Sequence, residues 1–384
     1  MSGSERTASP TSEHVDPEKS LAPPSPPPSP PPFVEGGLRG YMTVLGAFFA
    51  LFSTFGQSMS FGSFQSWYSQ NQLSPYTASE ISWIGSVQLC VFFVSGGLVG
   101  RLFDAYGPTL LLASGTMIVT FSLMMTSLAT KYYQFILAQG FLFGIGFGLL
   151  FFPSMGATAT HFTKYRATAI GIAGAGGSVG GVIFPIMLQR LFNNVGFGWA
   201  VRISAFICLA SGIIATATVS SRLPRGKPGP WIDGSSLKDI NYALFVSGSA
   251  LTALGIFVPM YYVVPYARSS HISQTLAFGT LSVMNAGGTF GSTLLSIMAD
   301  HIGRYNTLVP SAALMGILTL SLWFHAHNLV AIMTYSVFYG FLTGGWFALQ
   351  NSCMAQISKM EKIGVRIGMA YSFIAFPYVS LVSF

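Results

Sequence analysis

The chain has 384 residues, 51% of them hydrophobic and only 8% charged, where ordinary soluble domains carry roughly a quarter charged residues. That composition excludes a water-soluble fold with a surface of normal polarity, so lipid must cover much of the molecule. The net charge of +7, from 18 Lys and Arg against 11 Asp and Glu, is scattered in short clusters between apolar runs, which excludes a nucleic-acid-binding patch and points to membrane topology.

Residues 1–36 stand apart. The stretch Pro23-Pro24-Ser25-Pro26-Pro27-Pro28-Ser29-Pro30-Pro31-Pro32 cannot form a helix or strand, because proline lacks the backbone donor and fixes its own φ. No apolar core of a secretory signal precedes it. A disordered tail is expected, either plain solvated slack or a docking and phosphorylation segment.

From residue 40 onward apolar runs of about 20 residues recur, the length a helix needs to cross a hydrocarbon core of roughly 30 Å. They fall near 41–64, 81–103, 108–128, 133–157, 167–189, 199–219, 242–264, 276–299, 307–324, 329–350 and 363–384. Helices are required, since unpaired backbone groups cannot face lipid. The expected fold is an all-α polytopic membrane protein of about 11 transmembrane helices. A first bundle spans 37–220, a polar linker 221–241, and a second, incomplete bundle 242–384.

Basic residues set the orientation. With the N-terminus inside, 14 Lys and Arg lie on the cytoplasmic side and four outside, namely Lys131, Arg190, Arg202 and Arg268; the bias predicts a cytoplasmic N-terminus. Small residues mark close helix approaches: Gly140, Gly144 and Gly148, then Gly176/Gly180, Gly177/Gly181, Gly287/Gly291 and Gly340/Gly344. Cys90, Cys208 and Cys353 lie in apolar runs without CxxC or Cys/His spacing, so no metal site or disulfide is expected.

Two stretches six runs apart share a pattern. The first is Gly100-Arg101-Leu102-Phe103-Asp104-Ala105-Tyr106-Gly107, and the second is Ala299-Asp300-His301-Ile302-Gly303-Arg304. The first resembles the GxLxDxxG signature of the major facilitator superfamily, with Ala105 and His301 where a basic residue is usual. Two further stretches resemble the signatures of the monocarboxylate transporter family. One is Glu35-Gly36-Gly37-Leu38-Arg39-Gly40-Tyr41, before the first run. The other runs from His161 through Lys164, Arg166 and Gly171 to Gly176 and Gly180.

The resemblance implies two parallel six-helix repeats that rock about a central solute site. It assigns Gly100, Asp104, Gly107, Asp300, Gly303, Arg304, Lys164 and Arg166 to inner-gate and signature positions, with both aspartates in inner loops. Its cavity-lining helices carry Gln57, Gln139, Asn285, Thr289, Tyr335, Tyr339 and Trp346 near mid-depth, each either facing solute or joining neighbouring helices. Arg202, about a turn into the sixth run, either attracts an anion or reaches for the surface. Proton-coupled members carry a lysine in helix 1 and an acid–arginine pair in helix 8. Here Gln57 and its neighbours hold no lysine, and Asn285 and Thr289 stand at the second site.

The expected activity is therefore facilitative transport of a small organic solute, a monocarboxylate or a related metabolite or vitamin, without catalysis or cofactor. The solute and the lipid bilayer are the expected partners, in the plasma membrane or an internal one such as the vacuolar membrane. A non-transporting sensor or an inactive truncated relative is the alternative, since the last run ends where the family would continue to a twelfth helix. A membrane enzyme would need clustered His, Asp or Glu, and His325-Ala326-His327 does not provide them.

Overall fold

A computed structural model describes residues 35–222, 238–270, 272–326, 328–359 and 362–382. The Pro-rich tail, most of the linker, and His271 and His327 lie outside the described residues. Helix α1 (Gly37–Met59) and α2 (Phe61–Gln70) form one nearly continuous rod broken at Ser60. Helix α3 (Ala78–Tyr106) starts on a capping box, in which the Thr77 hydroxyl accepts the Glu80 N–H and the Glu80 carboxylate accepts the Thr77 N–H. It stops at Gly107, whose φ of 77° only glycine adopts freely, and Pro108 opens α4 (Pro108–Leu128). Helix α5 (Tyr132–Phe135) passes through a π-helical turn, Ile136–Leu142, into α6 (Phe143–His161).

Helix α7 (Arg166–Thr218) contains the fifth and sixth apolar runs, joined across Gly196 at φ 77° and ψ 165°. Residues 190–198, which separate those two runs, are helical on both sides of this glycine. The remaining helices are α8 (Ile240–Ser269), α9 (Gln274–Ile302), α10 (Arg304–Ser321), α11 (Leu329–Gln356) and α12 (Ile363–Val382). Seven helices among the described residues are long and apolar enough to cross a membrane, against the expected eleven. Helix α7, counted once, holds two runs; α9 and α10 are helical but less apolar than that standard, and α12 enters only through its apolar stretch Ile363–Ala375.

Glycines set the tightest contacts. A Cβ on Gly180 would meet Gly56 Cα at 2.8 Å, and one on Gly287 would meet the Val337 carbonyl oxygen at 2.5 Å. The Gly340/Gly344 stripe seats α11 against the backbone of Met284 and Gly288 on α9, and Gly96 and Gly100 of α3 seat against Gly368 and Gly364 of α12. Such backbone-to-backbone packing is what holds helices together where lipid removes the hydrophobic drive.

Candidate functional site

Two carboxylate latches sit at one end of the bundle, built alike. The helical pattern runs through both aspartates, so Asp104 and Asp300 lie in the last turns of α3 and α9, not in the loops expected; the chain leaves the helix only at Gly107 and Gly303, both at positive φ. Asp104 accepts the N–H groups of Gly364 and Val365, at 3.1 and 2.9 Å, at the start of α12. Asp300 accepts those of Ala167 and Thr168, at 3.1 and 2.7 Å, at the start of α7, and also the Thr168 hydroxyl at 2.8 Å. Each carboxylate thus fills the orphan donors and the positive end of a helix dipole. Both latches are thus made with Ala105 and His301 in place of the usual basic residue.

Arg304 braces the second latch: its Nη2 donates to the Thr163 carbonyl at 2.6 Å and lies 3.4 Å from Asp300. Arg166 crosses to the end of α11, donating to the Ala355 carbonyl at 3.2 Å. Arg366 answers it from α12, pairing with Asp239 at 2.8 Å. That Arg366 bond is the leading reason the Asp239 carboxyl is held below the usual carboxylate range. At the same end Glu35 accepts the N–H groups of Thr163 and Lys164, at 3.0 and 2.7 Å. Burial disfavours its charge, yet these bonds outweigh it and leave its pKa lowered. The Lys164 ammonium stands over the Tyr165 ring.

Between the helices lies a cavity of about 70 Å³. Its walls are apolar: Phe55, Phe151 and Phe347 close around Met59, Met155 and Met284. Its polar groups are Ser178, Asn285, Thr343, Asn351 and Tyr371, and no ionisable acid or base other than that tyrosine lines it.

Of the eight residues expected near a solute, Asn285 lines this cavity. Its amide donates to the Gly181 carbonyl at 3.3 Å and the Leu281 carbonyl at 3.1 Å, so it also ties α9 to α7. Thr289 spends its hydroxyl on the Asn285 carbonyl at 3.3 Å. Gln139 accepts from Tyr68 at 2.6 Å, and Gln57 is buried with both amide atoms unpartnered among the described residues. Tyr339 donates to the Ile256 carbonyl at 2.9 Å, and Tyr335 stacks on it while meeting Thr319 at 3.2 Å. Trp346 faces a separate groove with Asn241, Phe245 and Tyr305. Arg202 bonds the Ser127 hydroxyl at 3.1 Å and lies over the Trp199 ring. The cavity pair Asn351 and Tyr371 was not anticipated. Asn351 falls just past the run at 329–350 and Tyr371 inside the one at 363–384, and a tyrosine there reads equally as packing.

Residues 45–379 match the model of the Major Facilitator Superfamily. The chain is 39% identical over 359 residues to "MFS-type transporter 1" of an Ophiocordyceps strain, covering 93% of this chain and 80% of that one. It is 40% identical to the "Aspyridones efflux protein apdF" of Emericella nidulans, covering 92% and 72%, and 38% identical to the "Agnestins efflux protein AgnL12" of Paecilomyces divaricatus, covering 88% and 78%. Among solved structures, the proton:xylose symporter XylE superposes with a TM-score of 0.72 at 14% identity, covering 90% and 86%. The human organic anion transporter MFSD10 superposes with a TM-score of 0.70 at 14%, covering 89% and 91%. These relatives carry efflux and general transporter names, where the signatures had pointed to monocarboxylate carriers.

Proposed function

The chain belongs to the major facilitator superfamily, and we propose that it exports an uncharged, largely apolar organic metabolite by alternating access. The observation that carries this reading is the cavity: aromatic and methionine walls with a few amide and hydroxyl groups and no cation. A carboxylate anion would leave water for a space offering no compensating charge, which costs several kcal/mol. Methionine walls suit an irregular apolar solute, because the unbranched thioether repacks readily. The efflux names of several relatives agree with this reading.

The bundles 37–220 and 242–384 rock about the cavity, with a cytoplasmic N-terminus as the basic bias requires. Pockets for drug-sized molecules run to roughly 300 Å³ or more, so the bundles must part for a metabolite to enter. The latches hold the Asp104 and Asp300 end closed in this conformation, and their release opens it.

Expression in a yeast strain stripped of its own exporters tests the assignment. Retention of an uncharged aromatic solute should fall while benzoate retention stays unchanged. Equal retention of both solutes with and without the chain sinks the export reading, and selective loss of benzoate restores the monocarboxylate one.

A further inference from the structure

The export reading leaves open what the few polar atoms in the cavity recognise. Asn351 on α11 is only 3% exposed, and its two amide hydrogens are spent. Its Nδ2 donates to the Phe347 carbonyl one turn back at 3.0 Å and to the Tyr371 hydroxyl on α12, also at 3.0 Å. A backbone carbonyl can only accept, so the Phe347 bond fixes which end of the amide is nitrogen. The Asn351 Oδ1 is then an acceptor, buried and without a partner among the described residues. Tyr371 accepts from Asn351, and its own O–H hydrogen has no acceptor among the described residues. Both side chains line the cavity. Across the cavity, Asn285 also spends its donors on backbone, on Gly181 and Leu281.

The site therefore shows an unused acceptor beside an unused donor, one amide group apart. A buried acceptor left without a donor is costly, and a ligand that satisfies it is favoured over one that cannot. We propose that Asn351 and Tyr371 form the specificity clamp of this transporter. The clamp selects neutral, mainly apolar substrates that carry an N–H or O–H donor next to a carbonyl on one edge, such as a lactam or a hydroxy-carbonyl ring. The ligand N–H or O–H donates to Asn351 Oδ1, and the Tyr371 hydroxyl donates to the ligand carbonyl. This inference rests on the apolar export reading and names the substrate class within it.

Equilibrium dialysis of the full chain in lipid nanodiscs, against empty nanodiscs as the partition control, tests the clamp with three probes. 2-Quinolone carries the N–H beside the carbonyl; N-methyl-2-quinolone lacks the donor; 2-naphthoate is an anion of similar size. Wild type should bind 2-quinolone about tenfold tighter than its N-methyl form, the scale of one buried acceptor left unpaired. Asn351→Leu should erase that preference while still binding the N-methyl compound. Tyr371→Phe keeps the ring and its packing, and should weaken both lactams while 2-quinolone loses more. It also serves if the leucine variant does not fold, as judged by size-exclusion profile. Equal binding of the two lactams by wild type, or no binding of 2-quinolone, overturns the clamp and leaves apolar export standing. Preferred binding of 2-naphthoate overturns both.

Discussion

A carboxylate at a helix N-terminus is worth typically 0.3–1 kcal/mol when exposed and up to about 2 kcal/mol when partly buried. Asp300 is nearly closed off by its partners, with a side-chain exposure of 1%, so its latch belongs toward the upper end. Asp300→Asn keeps the shape but removes the charge, and turns one accepting oxygen into a donor facing N–H groups. The closed state should lose about 1–2 kcal/mol, roughly a five- to thirtyfold shift toward opening of that end. A cysteine at Ala348 on the cavity wall should then react faster with a thiol reagent applied from the latch side; unchanged labelling would mean the latch does not hold the gate. Asn285 serves two purposes, and its substitution separates them less cleanly. Asn285→Leu removes a link between α9 and α7 worth about 0.6–1.7 kcal/mol, so folded protein and transport should fall together. Transport lost at full abundance would place Asn285 in solute recognition alone.

The helices themselves were legible in the sequence wherever length and apolarity coincided, because 20 apolar residues in lipid have no alternative to a helix. The punctuation was less so. Gly196 joins two helices across a sharp kink because its φ of 77° lets the chain bend without a longer loop, and nothing in its local composition distinguishes it from a packing glycine. The second and eighth runs end at 103 and 299, where apolarity stops, and this puts the aspartates in loops; the helices continue to Tyr106 and Ile302 and end only at Gly107 and Gly303. The glycine stripes were legible as close contacts but not their partners: Gly100 in the signature proves to meet Gly364. The candidate site residues were the least legible: Tyr335, Tyr339 and Gln139 are polar within apolar runs, and each hydrogen-bonds a neighbouring helix in this conformation. Sequence position alone does not say which side a helix turns to the cavity. The packing argument itself can be tested by contrast. Gly340→Ala drives a methyl into the Met284 backbone and should sharply lower the yield of folded protein. Gly316→Ala meets nothing within 4 Å and should hold or raise stability by about 0.4–1 kcal/mol. Equal thermal stability of the two variants would refute tight seating of α11 on α9.

At the scale of the whole molecule, the distribution of titratable groups sets how the transporter responds to pH. No Asp, Glu, His, Lys or Arg lines the cavity, so on the export reading the solute meets no charged side chain there. Outside the spans, Glu35 clamps the segment leading into α1 to the Thr163–Lys164 backbone, and Asp239 joins Arg366 ahead of α8. Both carboxyls are lowered by these bonds. A lowered carboxyl contributes its full stabilisation above its unfolded pKa, near 4, and loses it only as pH falls through the folded value. Both contacts are therefore intact throughout the range from about pH 5 to pH 8. Transport in proteoliposomes, with the same pH on both sides, should change by less than about threefold over that range. An obligatory proton on the carrier would instead impose up to about tenfold per pH unit. A protonophore at fixed internal pH should leave uptake unchanged. Uptake that collapses with the protonophore would show that a carboxylate at the latch end, Asp104 or Asp300, carries a proton in the cycle, and Asp104→Asn against Asp300→Asn would then tell which.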